Sequence, residues 1–302
     1  MNRFPNFFKQ SSLACGLFAA LGLAQVASSQ SQDIMILPLM DGSDGKYVSL
    51  EPTHVTQREG YDNQPKFGPK GDVLYFTRML DKKSGDGQQS DIFKYQLSDG
   101  SFTNITQTED ISEYSATPFS EGFISVVAVN PEGQQHLRLV STVNQEQKVL
   151  REDIEPVGYY GWLSSTKAGV FVLGDTMTLQ ILDTESSAPP LVIADNIGRC
   201  FETVAPGLVT FTIEEEGVHQ LYALNHEGGF TSAETKLPEG VQDYAWFDQT
   251  HVVVGQDSKL LLVNAAKTKE LVDLKKLGVS GITRLALSPD RRKVAIVYER
   301  AE

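Results

Sequence analysis

The polar and aromatic side chains that could bind a ligand recur at similar places in successive segments of the chain. Each segment opens with one to three of them, directly before or on a stretch of alternating apolar residues. Carboxylates, amides and arginines can hydrogen-bond a charged group, and tyrosine and tryptophan offer flat apolar faces. The candidate ligand-binding residues are Asp62, Asn63, Gln64, Glu113, Tyr114, Tyr159, Tyr160, Arg199, Asp243, Tyr244, Trp246 and Arg284.

These side chains have two interpretations. In the first, Asp62, Glu113 and Asp243 give a ligand site an acidic character with Arg284 as one cation, which suits a cationic or mixed-charge ligand such as a peptide segment. In the second, the charges pair between segments and stabilise the fold, for example Asp62 or Asp243 with Arg284 or Arg199. Pairing would relieve the cost of several kcal/mol that a buried, unpaired charge carries.

The sequence offers little for metal or nucleophilic catalysis. Its five histidines are scattered over different segments, and it has no H-x-H, H-E-x-x-H, C-x-x-C or G-x-S-x-G pattern. Oxygen ligands for calcium cluster at residues 41–45 and 81–91, but neither loop has EF-hand spacing and Asp-Gly pairs are turn formers. We therefore expect no cofactor, with calcium as the alternative.

Residues 1–29 resemble a signal peptide. They contain two basic residues and no acidic one, and an apolar run over residues 13–26 is too short to span a bilayer. Small residues at Ala27 and Ser29 predict cleavage after Ser29. The alternatives are an anchor helix that stays attached and, less well supported, a lipid on Cys15. We expect an exported protein, periplasmic in a Gram-negative source and otherwise secreted.

The remainder of the chain, residues 30–302, is acidic. Its formal charge is −15, since the whole chain carries −13 and the leader adds two positive charges. No basic cluster interrupts it, which argues against nucleic acid and anionic membrane surfaces as partners. No apolar stretch after the leader is long enough for a membrane span. Cys200 is its only cysteine, so we expect a buried, inert thiol, with an intermolecular bridge or a reactive thiol as the alternative.

The segments form a repeat. The markers that begin successive units lie 53, 46, 41, 43 and 38 residues apart, and each unit offers about four short strands without a helical period. Repeated four-stranded units of 40–50 residues are typical of a β-propeller. The markers are Tyr61, Tyr114, Tyr160, Phe201, Tyr244 and Ile282.

The two ends of the repeat complete one another. Residues 33–40 and 51–57 have the pattern of third and fourth strands, whereas residues 281–300 supply a first and a second strand. We therefore predict an all-β, six-bladed propeller over residues 30–302, with a ring closed by strands from both termini. Closure of this kind removes the free sheet edges that invite aggregation.

The repeat resembles that of the TolB-like propellers, also called the PD40 or WD40-like repeat. The resemblance rests on xFxPxGDxLYFT at residues 66–77, SDIFKYQLSDG at 90–100, NITQT at 104–108 and LSPD at 287–290. It implies the fold and says little about function. TolB itself has a separate α/β domain before its propeller, whereas here about one residue separates the leader from a strand. We therefore expect a propeller-only exported relative, to which the role in the Tol system does not transfer.

In propellers the first strand of each blade lines the central channel, where the candidate residues would lie. The favoured function is therefore a non-catalytic binding or scaffold protein that holds a peptide, a protein or a small ligand at the channel mouth. The alternative is a six-bladed, calcium-dependent lactonase or esterase. Its metal ligands would be Asp62, Asn63, Glu113 and Asp243.

Overall fold

The computed structural model describes residues 31–42, 45–85 and 87–300. In this part of the chain 25 strands form six antiparallel sheets, and the one helix is a short 3-10 turn, Lys275–Leu277. No helix among the described residues is long and apolar enough to cross a membrane. The predicted signal peptide lies outside the described residues, so its cleavage stays a prediction.

Five sheets, numbered here as blades 1–5, are each formed by four consecutive strands that pair in chain order. Blade 1 has strands β4 Asp62–Phe67, β5 Val73–Asp81, β6 Gln88–Gln96 and β7 Phe102–Asn104. Blade 2 has strands β8 Ser112–Ser120, β9 Phe123–Val129, β10 Gln135–Ser141 and β11 Gln147–Val149. Blade 3 has strands β12 Val157–Trp162, β13 Lys167–Val172, β14 Thr178–Asp183 and β15 Leu191–Asp195. Blade 4 has strands β16 Glu202–Ala205, β17 Leu208–Glu215, β18 Val218–Asn225 and β19 Phe230–Lys236. Blade 5 has strands β20 Tyr244–Trp246, β21 Val252–Gln256, β22 Lys259–Val263 and β23 Thr268–Asp273.

The sixth sheet, the composite blade, combines strands from both ends of the described chain. Its strands are β24 Val279–Leu287, β25 Lys293–Arg300, β1 Gln32–Gly42, β2 Gly45–Val48 and β3 Thr53–His54. Strand β25 pairs with β1 from Gln32 opposite Glu299 to Pro38 opposite Lys293. The short strands β2 and β3 both pair with β1 and share the fourth position. The six-bladed propeller closed by strands from both termini is thereby confirmed.

The hydrophobic core is divided into six clusters, and each cluster joins two consecutive blades. Phe76 of blade 1 packs with Ile34 and Val297 of the composite blade, and all three are fully buried. Val253 of blade 5 belongs to the cluster that also contains Leu285 of the composite blade. Because the composite blade contributes to clusters on both of its faces, the ring is closed by packing as well as by hydrogen bonds.

A repeated threonine fixes the outer part of two sheets. The Oγ1 of Thr106 accepts a hydrogen bond of 3.0 Å from the amide of Ile92, and the Oγ1 of Thr56 accepts one of 2.8 Å from the amide of Ile34. Both threonines follow a buried aliphatic residue and are themselves buried. The repeated closing motif therefore satisfies a buried backbone donor of the third strand, as buried N–H groups require.

Candidate functional site

A cavity of about 90 Å³, here called the central cavity, lies where the inner strands of the blades meet. Every blade contributes to its wall, either from the inner strand or from the residues just before it. One lining residue from each blade, in chain order, is Gln64, Thr117, Tyr160, Glu202, Asp243 and Leu285. The ring thus converges on one site that no single blade forms alone.

A second cavity of about 170 Å³, here called the side cavity, adjoins blade 5 and the composite blade. Its wall includes Gln242 and Thr283. Arg199, Asp243 and Arg284 line this cavity and the central cavity alike. These three charged residues therefore separate the two spaces.

Asp243 holds the two arginines together. Its Oδ2 accepts hydrogen bonds from Nε and Nη2 of Arg199 at 2.9 and 2.5 Å, and its Oδ1 accepts one from Nη1 of Arg284 at 3.2 Å. Burial is the largest single influence and lowers the pKa of Arg284, but the Asp243 carboxylate together with Tyr159 and Tyr61 raises that pKa above its usual value overall. Arg199, Arg284 and Asp243 together therefore carry two positive charges and one negative charge.

Arg284 also reaches across the channel to Tyr159 in blade 3. Its Nη2 donates to the Tyr159 hydroxyl at 3.0 Å, and its Cζ lies 5.2 Å from the centroid of the Tyr159 ring. A guanidinium at this distance gains a cation–π interaction in addition to the hydrogen bond. Blade 3 and the composite blade stand opposite each other in a ring of six, so this contact spans the channel.

A second contact spans the channel between blades 1 and 4. The Nζ of Lys66 lies 2.9 Å from Oε1 of Glu202, and both side chains are about one-third exposed or less. Burial would lower the pKa of Lys66, but the Glu202 carboxylate raises it overall, so the ammonium group is retained. Side chains therefore occupy the middle of the channel, which is not an open tunnel.

Within the described part of the chain, Gln64 leaves both N–H donors of its side-chain amide unused. Its Oε1 accepts hydrogen bonds of 2.8 Å from the Thr77 hydroxyl and from the backbone amide of Ser115, and the latter donor fixes the orientation of the Gln64 amide. Its Nε2 is buried and has no partner among the described residues. A buried donor normally has a partner, so this nitrogen points to a water or a ligand group in the cavity that Gln64 lines.

The structure divides the predicted site residues into two sets. Those that line the central cavity are Gln64, Tyr159, Tyr160, Arg199, Asp243 and Arg284. Those that do not are Asp62, Asn63, Glu113, Tyr114, Tyr244 and Trp246.

The ion pairs proposed between segments are present for Asp243 but not for Asp62. Asp62 is fully buried, and its carboxylate contacts Arg78 at 2.8 Å and Arg58 at 3.4 Å rather than Arg284 or Arg199. Desolvation raises the pKa of Asp62 although both arginines oppose the shift. Neighbouring Asn63 donates to the Gln32 side chain at 2.7 Å. Asp62 therefore stabilises blade 1, and Asn63 connects blade 1 to the composite blade.

Glu113 is also enclosed in the scaffold. Its carboxylate accepts hydrogen bonds from Gln147 at 2.8 Å and Thr108 at 3.1 Å, and burial raises its pKa to about 7. With Asp62 and Glu113 outside the cavity, the expected acidic character is not found there. The charged residues that line the central cavity are Lys66, Arg199, Arg284, Glu202 and Asp243, which leaves one positive charge in excess.

The aromatic residues form links between blades. Tyr160 and Trp162 donate to the Ser125 hydroxyl of blade 2 at 2.9 and 2.8 Å. Tyr244 and Trp246 donate to the Thr210 hydroxyl of blade 4 at 3.0 and 2.9 Å. The repeated Tyr-x-Trp pattern is the sequence signal for this link.

The other predicted aromatic residue is structural, and the lone thiol has backbone partners. Tyr114 packs against the hydrophobic cluster between blades 2 and 3. Cys200, which lines the central cavity, donates to the carbonyl of Tyr244 at 3.3 Å. Burial raises the pKa of the Cys200 thiol well above its usual value, which disfavours the reactive thiolate.

Sequence reasoning missed Lys66 and Glu202. Lys66 is only the first, unspecified position of the repeat motif at residues 66–77, and Glu202 follows a repeat marker directly. Their contact joins residues 136 positions apart. No local pattern reports such a pair, and only the position of each residue on an inner strand of opposite blades could have suggested it.

The residues proposed as calcium ligands do not converge. Asp62, Glu113 and Asp243 each bind different protein groups, and in the described ranges no three His, Cys, Asp or Glu side chains lie close enough to hold a metal ion. Of the loop at residues 41–45, Ser43 and Asp44 lie outside the described residues. Of the loop at 81–91, Asp86 lies outside the described residues, and Asp81 accepts a hydrogen bond from Gln88 at the strand end.

No protein-family model matches the chain, and no curated protein matches it. Solved structures do. A putative TolB from Agrobacterium tumefaciens is 14% identical with a TM-score of 0.62, over 91% of this chain and 100% of that chain. A chain of a nidogen/laminin complex is 10% identical with a TM-score of 0.55, over 80% of this chain and 92% of that chain. Oligogalacturonate lyase in complex with manganese is 11% identical with a TM-score of 0.54, over 86% of this chain and 84% of that chain. Such identities show the fold alone, which is a six-bladed β-propeller.

Proposed function

We propose that this chain is an exported, non-catalytic binding protein that holds a peptide, protein or small ligand at the mouth of its central channel. The observation that carries the proposal is the cavity to which all six blades contribute. Gln64 lines this cavity, and its buried Nε2 has no hydrogen-bond partner among the described residues. An acceptor atom of a ligand would satisfy this donor. Perturbed charges and unsatisfied polar groups in a cavity are the usual marks of a binding site.

The size of the cavities limits what enters them. Volumes of about 90 and 170 Å³ fall below the roughly 300–1,000 Å³ of pockets that enclose a drug-sized ligand. The channel therefore accepts one group or the end of a chain, while the remainder of the ligand lies outside on the mouth. This arrangement suits a peptide or protein segment better than a compact molecule.

The test is to fill the channel and follow ligand capture. Thr117 lines the central cavity and is half-buried, so Thr117→Trp should occupy that space. We expect mass spectrometry of the native, tag-purified protein to find a compound or peptide that is absent from the Thr117→Trp variant. Val143→Trp adds the same bulk at an 85% exposed position and should retain the compound. Equal recovery from both variants would place binding outside the channel.

The variant must be folded for this comparison to hold. Thermal melts of both variants provide the check, and Tyr159→Phe supplies a milder alternative. It removes only the hydroxyl that accepts from Arg284. Under the proposal, Tyr159→Phe lowers the recovery of the compound by a measurable factor without a loss of cooperative unfolding.

Export is the remaining part of the proposal. It is supported by the basic start, the apolar run and the small residues at Ala27 and Ser29. N-terminal sequencing of the mature protein should begin near Gln30. An intact Met1 on exported material would contradict cleavage, and a lipid on Cys15 would show an anchored protein instead.

A further inference from the structure

We propose that the group recognised by this channel is a carboxylate, bound in the side cavity by Arg199 and Arg284. The inference rests on the proposed binding function and names the chemistry of its ligand. It reverses the expectation of a cationic ligand, because the cavity residues have the opposite charge balance.

The charge balance is the first argument. The charged residues that line the side cavity are Arg199, Asp243 and Arg284, which together carry a net charge of +1. The whole chain, by contrast, carries −13. A bound cation would face two guanidinium groups at close range, whereas a bound monoanion would neutralise the excess charge. Burial of an uncompensated charge is costly, so the cavity selects the anion.

Unused hydrogen-bond donors are the second argument. Arg199 uses Nε and Nη2 for Asp243, and Arg284 uses Nη1 and Nη2 for Asp243 and Tyr159. A guanidinium has five N–H donors, so each arginine keeps donors for a ligand. The Oγ1 of Thr283, on the same wall, is buried and has no partner among the described residues. Two arginines and a hydroxyl match the oxygens of a carboxylate.

The single excess charge also separates carboxylate from phosphate. Arginine binds both groups, but a phosphate near neutral pH carries about −1.5 to −2. One excess positive charge neutralises a carboxylate and leaves a phosphate with uncompensated charge. The carboxylate could belong to the C-terminus of a peptide or to a small organic acid, and the experiment distinguishes these sources.

The test uses matched probes on the full-length mature protein. A pool of N-acetylated hexapeptides without Asp or Glu is offered once with free α-carboxylates and once with α-amides, and bound peptides are counted by mass spectrometry. Butyrate, a monocarboxylate, and inorganic phosphate are added separately as competitors. We expect the acids to be retained at least tenfold above the amides. Loss of the acids to millimolar butyrate alone would identify a small organic acid as the source, and their persistence would identify a peptide terminus.

Two arginine variants connect the result to the site. Arg199→Met leaves the Asp243–Arg284 pair neutral and should abolish the preference for acids over amides. Arg292→Met makes the same change of charge at an exposed residue that lines neither cavity and should preserve the preference. Arg199→Lys keeps the charge but loses the planar donor pair, so its preference should be intermediate. If Arg199→Met does not melt cooperatively, Thr283→Val replaces it, with an expected several-fold loss of retention.

The outcomes separate this inference from the function on which it rests. Equal retention of acids and amides, both lost in Thr117→Trp, would overturn the carboxylate and leave channel binding intact. Displacement by phosphate at lower concentration than by butyrate would also overturn it. Unchanged preference in Arg199→Met would place the carboxylate elsewhere. Failure of the wild type to retain any probe or native compound would contradict both proposals.

Discussion

Lys66 and Glu202 stand on opposite blades of the propeller, and their charged atoms are 2.9 Å apart in the middle of the channel. The two residues are 136 positions apart in the chain. Blades that share no hydrophobic cluster are thereby connected directly. The Lys66–Glu202 pair therefore stabilises the ring across its diameter, in addition to the hydrophobic clusters that join neighbouring blades.

Removal of one partner of this pair should destabilise the protein. Lys66→Met leaves Glu202 without its cation in a mostly enclosed site, and we expect a loss of about 1–3 kcal/mol. This is less than the roughly 3–5 kcal/mol of a fully buried pair, because both side chains keep some solvent contact. The double variant Lys66→Met/Glu202→Met should recover most of the loss. Urea unfolding of the wild type, Lys66→Met, Glu202→Met and the double variant gives the coupling energy, and additive losses would show that the pair is not coupled.

Glu113 should make the stability of the fold depend on pH. Its pKa is about 7 in the folded protein and near the usual 4.5 when unfolded. The folded state therefore binds more protons between these values, and stability should fall as the pH rises from about 4.5 to 7. The loss attributable to this group should reach about 3 kcal/mol at pH 8.

Glu113→Gln checks this dependence, because glutamine does not titrate. Unfolding in urea should show that the variant gains stability relative to the wild type between pH 5 and pH 8. Glu121→Gln, at an exposed position, should show no such gain. A constant difference between Glu113→Gln and the wild type over this range would mean that Glu113 is ionised throughout.

The link between blades 2 and 3 should depend on one hydroxyl. Ser125→Ala removes the acceptor of Trp162 and one partner of Tyr160 in a fully buried site. A buried donor left without a partner costs about 1–3 kcal/mol, and we expect a loss in that range in chemical denaturation. Thr210→Val should behave alike through Trp246, and exposed Ser187→Ala should change little.

Ring closure should require the terminal strands but not the order in which the chain supplies them. Deletion of residues 281–302 removes β25 and all but the first two residues of β24 and exposes the edge of β1, so the truncated protein should aggregate or unfold without cooperativity. A circular permutant that joins residues 300 and 32 through a short glycine linker, with new ends at exposed Val143, should stay soluble. Light scattering and denaturation curves compare the two. A soluble, cooperative truncation would mean that closure is dispensable.

The repeat made the architecture predictable from the sequence. Apolar alternation recurs in every blade, and the incomplete units at the two ends complement each other, so the pairing of β1 with β25 followed from counting strands. The outer strands were harder to predict from the sequence. Only Thr53–His54 of the segment at 51–57 forms a strand, since β2 takes part of the fourth position.

The positions of the site residues were harder to predict for a local reason. Side chains alternate between faces along a strand, and one extra residue reverses the alternation. The inner strands of blades 1 and 2 have such irregularities, between Asn63 and Lys66 and between Tyr114 and Thr117. Gln64 lies inside the first irregularity with a φ of 56°, a left-handed conformation that is uncommon outside glycine. Register counted from the repeat therefore placed Asp62 and Glu113 at the channel, whereas they lie in the scaffold.

The pairing of β1 with β25 has a consequence for biosynthesis. Gln32 emerges from the ribosome among the first residues of the propeller but must wait for Glu299, its partner in the sheet. At about 5–20 residues per second, that wait is on the order of tens of seconds. Throughout this time β1 presents an unpaired, strongly apolar edge while the five internal blades are made. A chain of this design must keep that edge from pairing with other chains until the last strand has been delivered.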